Sequence, residues 1–218
     1  MTRYINPIKE DANIVNMYMK YFGYKTDGFF VNIGAHNGVT YDWCWPLVNA
    51  GWSGLAVEAN PGHIQPLKEN LKPFKDVKIH NIAIGDANKK ATFYLTTHAT
   101  STLSEEYAKS NKKYDKNKVV EVNMVTLDTF LESENCPSEF DFLSIDIEGY
   151  EVPALKNYSI DKWSPKMVAI ECNKRDPKLG NLPVDGTTRY QWINNFFTSR
   201  GYKEIYESDV NSVFIKEN

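Results

Sequence analysis

The residues able to do chemistry fall into two groups. The first is Asn32-Ile33-Gly34-Ala35-His36-Asn37-Gly38, which follows the apolar run Phe29-Phe30-Val31. A strand that ends in a glycine turn lets a ligand approach the backbone and turns bare N–H groups toward it. The next apolar run, Gly54-Leu55-Ala56-Val57, ends in Glu58, and a carboxylate there can accept hydrogen bonds from both ribose hydroxyls of a nucleoside ligand. Glycine spacing separates two cofactor classes. A dinucleotide turn requires glycine at 34, 36 and 39, whereas this chain has Gly34, His36 and Val39. His36 obstructs a pyrophosphate, and nothing basic nearby replaces the contact. S-adenosylmethionine has no phosphate, so one tight turn with a less demanding second glycine suffices. The turn therefore reads as a site for the methyl donor, ahead of an NAD(P)-dependent oxidoreductase or a non-catalytic cofactor-binding module.

The second group is acidic. Asp146 ends the apolar run 142–145 and Glu148 follows it, while Glu171 and Asn173 end the run 167–170. Methyl transfer from a sulfonium is an in-line displacement, so alignment supplies much of the catalysis. A hydroxyl acceptor must also lose its proton to a base, or be acidified by a metal. Asp146, His36 and His98 are the candidate bases. Asp146, Glu171 and Asn173, on neighbouring strand ends, offer three oxygens to Mg²⁺. The competing roles are structural: Asp146 and Glu148 capping a helix after Gly149, and His36 packing its ring beside the cofactor. His63 and His80 read as surface or packing residues, and Trp43, Trp45, Trp52 and Trp192 as core.

The elements that must position these groups follow from short apolar runs alternating with helical patterns, the signature of an α/β chain with a mostly parallel sheet. Strands are expected at 29–33, 54–58, 77–82, 91–95, 119–125, 140–145, 167–171, 202–206 and 213–215. Helices are expected from Pro7, with Ile14, Val15, Met17, Tyr18 and Tyr21 on one face, and at 41–49, 61–71, 127–133 and 190–200. Pro61 suits a first helical turn, Thr126 a cap, and Gly201 a stop. The last two strands are close enough for an antiparallel hairpin. Residues 96–118, polar and rich in lysine, read as an insertion or lid with a β-hairpin-like base. Its lysines Lys109, Lys112, Lys113, Lys116 and Lys118 read as a solvated loop.

At 218 residues the chain is expected to form one domain over 1–218, with an N-terminal helical segment at 1–27. The net charge of −3 gives no reason to expect nucleic acid, which asks for a basic face. No apolar run nears the roughly 20 residues that cross a bilayer, and residues 1–24 lack the apolar core of a secretory signal. Cys44, Cys136 and Cys172, odd in number and far apart, exclude a disulfide framework and fit a reducing cytosol. A cytoplasmic chain without a membrane partner is the expectation.

Several segments together resemble the FkbM-type methyltransferase family. The turn at 32–38 is similar to that family's Asp-Val-Gly-Ala-Asn-x-Gly, and Glu58-Ala59-Asn60-Pro61 to its Glu-Pro-x-Pro. Asn81-Ile82-Ala83-Ile84-Gly85-Asp86, Thr126-Leu127-Asp128 and the acidic run Asp146-Ile147-Glu148-Gly149-Tyr150-Glu151 also have counterparts there, in the same order. The resemblance implies a class I, Rossmann-like fold: a seven-stranded, mostly parallel sheet with its last strand antiparallel. It implies O-methylation of a sugar, glycan or glycosylated small molecule. By the same carry-over Asn32, Gly34, Ala35, Asn37, Gly38, Glu58, Ala59, Ala83, Ser101, Asp146 and Glu148 contact the cofactor. Asn32 stands where the family has Asp, and Ala59 where it has Pro. Asparagine keeps a hydrogen bond to the cofactor but loses the charge that would pair with the amino group of its methionine portion.

Overall fold

The nearly continuous apolar runs become the middle of a sheet. A computed structural model describes residues 13–96, 99–110, 114–174 and 186–217. Its strands are β1 (Phe29–Ile33), β2 (Ser53–Val57), β3 (Val77–His80), β4 (Ala83–Gly85) and β5 (Lys89–Tyr94), then β6 (Val119–Thr126), β7 (Phe142–Ile145), β8 (Met167–Glu171), β9 (Tyr202–Glu207) and β10 (Asn211–Lys216). The helices are α1 (Ile14–Phe22), α2 (Trp45–Asn49), α3 (Pro61–Leu71), α4 (Glu105–Ser110), α5 (Leu127–Ser133), α6 (Glu151–Lys156) and α7 (Arg189–Thr198).

Seven strands form one sheet in the order β3-β2-β1-β7-β8-β10-β9. Strands β3 to β8 in that order pair in parallel, and β10 runs antiparallel to both β8 and β9. The expected sheet with a reversed last strand is therefore present. Side chains alternate across it: Val31 and Ile33 enter one apolar cluster with Phe130, Leu155 and Phe197, and Phe30 enters the other with Leu47 and Leu67. Both faces are covered, which is why β7 and β8 are buried at every residue.

Local chemistry sets the helix starts. Asn60 accepts the Gly62 N–H ahead of Pro61, and Thr126 accepts that of Thr129. Thr188 and Gln191 cap α7 reciprocally. The helix expected at 41–49 is shortened to Trp45–Asn49, because Tyr41 has φ +58 and the Asp42 carboxylate takes the N–H groups of Cys44 and Trp45. In α1 the buried face is Ile14 and Tyr18, whereas Tyr21 is exposed and Phe22 packs instead. Pro7 lies outside the described residues.

The strand expected at 77–82 divides in two. Asn81 interrupts it by donating its amide to the Glu58 and Ala59 carbonyls, and β4 then leaves for a second sheet of order β4-β6-β5. The expected hairpin is the antiparallel pair β5–β6 in that sheet. The segment between them is more built than a loop: Thr102 bridges to Tyr94, and α4 buries Tyr107 and Ala108.

At the amino end of β7, Asp141 is a buried tie between three parts of the chain. Its carboxylate accepts hydrogen bonds from Tyr18 Oη (2.6 Å), Lys25 Nζ (2.8 Å), Lys166 Nζ (2.9 Å) and the Phe29 N–H (3.0 Å). Burial alone raises a carboxyl pKa, but these bonds from Lys25, Tyr18, Lys166 and Phe29 outweigh it and hold Asp141 at about 2. A folded-state pKa below the unfolded one stabilises the fold above the unfolded value, and the effect vanishes as pH falls through the folded value. We therefore expect Asp141→Asn to cost about 2 kcal/mol at pH 7 and almost nothing near pH 2. Urea unfolding of both proteins at the two pH values measures this; an equal cost at both would show that the charge is not responsible.

Candidate functional site

A cavity of about 470 Å³ opens at the carboxyl ends of the parallel strands. This is where open α/β sheets bind ligands, and the chain reverses its direction of sheet growth here, between β1 and β7. Gly34 follows β1, Glu58 follows β2, Asp146 follows β7 and Glu171 ends β8, and all four line the cavity. Because β10 is antiparallel, its first residue, Asn211, pairs with Glu171 and reaches the same edge.

Gly34 has φ +94, and a Cβ there would collide with the carbonyl oxygen of Asp146. The residue thus lets the ends of β1 and β7 close on each other, reinforced by Asp146 N–H donating to Ile33 O at 2.9 Å. The turn is not a rack of free donors. Gly34 and Ala35 both give their N–H groups to Val57 O, Gly38 to Ala35 O, and Val39 and Thr40 to Asn37 Oδ1. His36 N–H goes to Glu58 Oε2 at 2.7 Å. The expectation of bare N–H groups at the turn is corrected on this point: glycine here provides close approach, and no helix begins until Trp45.

Glu58 is buried, with Oε1 accepting the Asn60 N–H at 2.7 Å. Each oxygen is thus fixed by one backbone donor and keeps a further lone pair for the cavity. His36 and His63 stand beside it, their rings edge to face at 4.2 Å, with His63 Nδ1 3.7 Å from Glu58 Oε1. Burial, then the neighbouring His63, lowers the His36 pKa, so the ring is neutral near pH 7. His63, read from sequence as an ordinary packing residue, is part of the cavity wall. Next to Glu58 the wall turns apolar with Ala59, Ala83, Ile84, Phe93 and Leu103, and Ser101 joins it, its Oγ accepting the Thr96 N–H at 3.2 Å.

The opposite flank is acidic. One carboxylate oxygen from each of Asp146, Glu148 and Glu171 lies within 4.8 Å of the others. Their loop is held from behind by Glu151, fully buried, whose Oε1 accepts the N–H groups of Ile147 and Gly149 and whose Oε2 is 3.8 Å from Arg189. Tyr107 of α4 donates to Glu148 Oε2, and Gly149, at φ +91, leaves room for the Tyr107 ring. Burial, then Glu151, Asp42 and Glu58, pushes the Asp146 carboxyl up to about 7. Burial first, then the surrounding carboxylates, also raises Glu148 and Glu171.

Of the residues expected at a cofactor, Gly34, Glu58, Ala59, Ala83, Ser101, Asp146 and Glu148 line the cavity. Asn32, Ala35, Asn37 and Gly38 stand behind its wall: Ala35 is in the core, Asn37 closes its own turn, and Asn32 Nδ2 donates to the buried Asp42 at 2.9 Å. Of the candidate bases, His36 lies with Glu58, Asp146 lies in the acidic flank, and His98 falls outside the described residues. Of the proposed metal ligands, Asp146 and Glu171 come together, but the third carboxylate is Glu148; Asn173 turns away at φ +38, its N–H bonded to Val210 O, and does not line the cavity. Sequence reasoning missed Asp42, His63, Tyr107, Glu151 and Arg189. Glu151 alone left a signal, an acid in the first turn of a helix.

A family model described as "Methyltransferase FkbM domain" matches residues 32–204. No curated protein matches the sequence significantly. Among solved structures, a methyltransferase FkbM from Methylobacillus flagellatus superposes with a TM-score of 0.55 at 14% identity, over 91% of this chain and 47% of that one. The present chain thus spans about half the length of that relative. An O-methyltransferase from Bacillus cereus in complex with SAH gives 0.52 at 15% identity, over 99% and 84% of the two chains. A precorrin-6y C5,15-methyltransferase from Geobacter metallireducens gives 0.51 at 12% identity, over 100% and 93%. These likenesses show a class I methyltransferase fold.

The Gly34 contact can be tested against a glycine with the same backbone requirement and no neighbour. Gly201 also has positive φ, +79, but nothing lies within 4 Å of a Cβ there. Gly201→Ala should cost about 1 kcal/mol, from backbone strain alone. Gly34→Ala should cost at least about 3 kcal/mol, because backbone must also move. Chemical denaturation measures both, and equal losses would remove the β1–β7 contact as the reason for glycine.

Proposed function

The chain belongs to the FkbM family of S-adenosylmethionine-dependent methyltransferases, and on that premise we propose that it methylates a hydroxyl of a sugar, glycan or glycosylated small molecule. The observation that carries the cofactor half of this reading is Glu58. Its two oxygens are each steadied by a backbone N–H and each retains a lone pair at the cavity wall, which matches the two hydroxyls of a ribose. The apolar shelf of Ala83, Ile84, Phe93 and Leu103 beside it suits the faces of an adenine ring. Gly34 and Asp146 line the cavity at the joint between the two flanks and in this reading would hold the methionine portion. S-adenosylmethionine supplies an electrophilic methyl on a sulfonium when bound. The dinucleotide alternative fares badly against the same turn, since its N–H groups are already committed to protein oxygens and a pyrophosphate needs them.

The acceptor then belongs on the acidic flank, across from Glu58. As the acceptor oxygen gains the methyl, sulfur keeps the electron pair of the broken C–S bond, and the hydroxyl proton must find a base. Asp146 is the carboxyl on that flank suited to the task, with a pKa of about 7 that matches neutral operation. His36 sits with Glu58 at the cofactor end and has no part in proton removal in this reading. We infer no nucleic-acid or membrane partner; no helix among the described residues is long and apolar enough to cross a membrane.

Calorimetry with S-adenosylmethionine and NAD tests the cofactor, and mass spectrometry for methyl gain across sugars, nucleotide sugars and glycans tests the acceptor. Glu58→Ala should weaken S-adenosylmethionine by about 1.5–3 kcal/mol, roughly ten- to a hundredfold in Kd, the scale of lost bonds to a charged group. NAD binding with no response to the methyl donor would overturn the reading.

A further inference from the structure

The acidic flank has a charge problem that the protein does not solve by itself. Arg189 stands against Glu151, 3.8 Å away, and Glu151's other oxygen is filled by two backbone donors. Asp146 and Glu148, half-buried, and Glu171, buried, therefore face the cavity as three carboxyl groups without an ammonium or guanidinium in salt-bridge contact among the described residues. Tyr107 donates to one oxygen of Glu148, which favours its ionised form and fixes its direction.

Glu171 adds the observation that points to a ligand. It is 5% exposed, it lines the cavity, and its Oε2 is buried with no hydrogen-bond partner. A buried carboxylate oxygen without a donor is costly, and such groups are as a rule paired or bound to a metal. The neighbouring Cys172 does not compete, since its Sγ turns to Ile170 O. The donor set is thus all oxygen, with neither sulfur nor imidazole, which selects a hard divalent ion over zinc or copper.

We propose that Asp146, Glu148 and Glu171 bind a divalent cation of the Mg²⁺ or Mn²⁺ class, and that the acceptor is a vicinal diol chelated to it. A dication offsets the mutual repulsion that opposes ionisation of the three carboxylates when they are brought together. Three protein oxygens leave the cavity-facing half of an octahedron for water or for two neighbouring hydroxyls of the acceptor. With the ion bound, Asp146 serves as a ligand in place of a free base: a hydroxyl touching the ion gives up its proton more readily, to water, and the chelate fixes which oxygen faces the methyl donor. The diol half of the proposal rests on the methyl-transfer reading; the cation site itself does not.

The test titrates Mn²⁺ into the full chain and follows the free-ion signal by electron paramagnetic resonance, with S-adenosylmethionine affinity measured separately by calorimetry. One Mn²⁺ per chain, displaced by excess Mg²⁺, is expected. Glu171→Gln should weaken Mn²⁺ at least tenfold, with Glu148→Gln as the second variant should the first fail to fold. Glu121→Gln, at an exposed position of β6, should change nothing. Failure to bind Mn²⁺, or equal binding by both cluster variants and the parent, overturns the cation site even where S-adenosylmethionine binds normally. Mn²⁺ binding without any S-adenosylmethionine binding supports the site and overturns the methyl-transfer reading instead. For the diol, a deoxy acceptor lacking one of the paired hydroxyls should lose methylation; undiminished methylation overturns that half.

Discussion

Asp146 lies against Gly34 with no room for a side chain between them, and the cavity exists because of that approach. With Ile33 accepting the Asp146 N–H, the ends of β1 and β7 leave the sheet together. Everything placed around them inherits this joint. Glu58 is reached from one side, through the N–H of His36 in the same turn. The carboxylates of Glu148 and Glu171 gather on the other side, on the loop that Asp146 begins and on the next strand. Parallel pairing makes this possible, since it brings successive strand ends to one edge, and the reversed β10 adds the start of a strand to that edge without a further crossover.

Carboxylates are handled in two opposite ways within one sheet. At the amino end of β7, Asp141 is surrounded by two lysines, a phenol and a backbone N–H, and it stays ionised down to strongly acid pH. At the carboxyl end of the same strand, Asp146 meets other carboxylates and is driven toward neutrality at ordinary pH. Only four residues of apolar strand separate the two environments. The first serves folding and holds α1 to the sheet. The second works against folding, as polar groups gathered for a ligand often do.

The sheet and the strand-end residues were legible in the sequence because both depend on short-range pattern. Apolar runs of strand length, each followed by a polar residue with chemistry, gave β1, β2, β7 and β8 with Gly34, Glu58, Asp146 and Glu171 at their ends. The roles within the turn were less legible. Spacing does not reveal that Asn37 closes its own turn or that Asn32 faces Asp42, because those contacts are decided by side-chain direction. The break at Asn81 was hidden for a related reason: the apolar pattern continues through Ile82 while the backbone changes sheet. Tyr107, Glu151 and Arg189 meet from segments more than thirty residues apart, and one sequence carries no trace of such a meeting.

The hydroxyl of Tyr107 resting on Glu148 has a consequence for how such enzymes diversify. Of the segment between β5 and β6, Ala99, Thr100, Ser101 and Leu103 line the cavity, outside the main sheet. Yet it is not a detachable cassette. Its Tyr107 ring fills the space left by Gly149, and the hydroxyl of that ring orients a carboxylate of the cavity wall. A graft that imports a new segment without an aromatic hydroxyl at this position would leave a hole beside Gly149 and a misdirected Glu148. Positions 107 and 149 should therefore change together across relatives, so that specificity evolves here by paired replacement rather than by free exchange of loops.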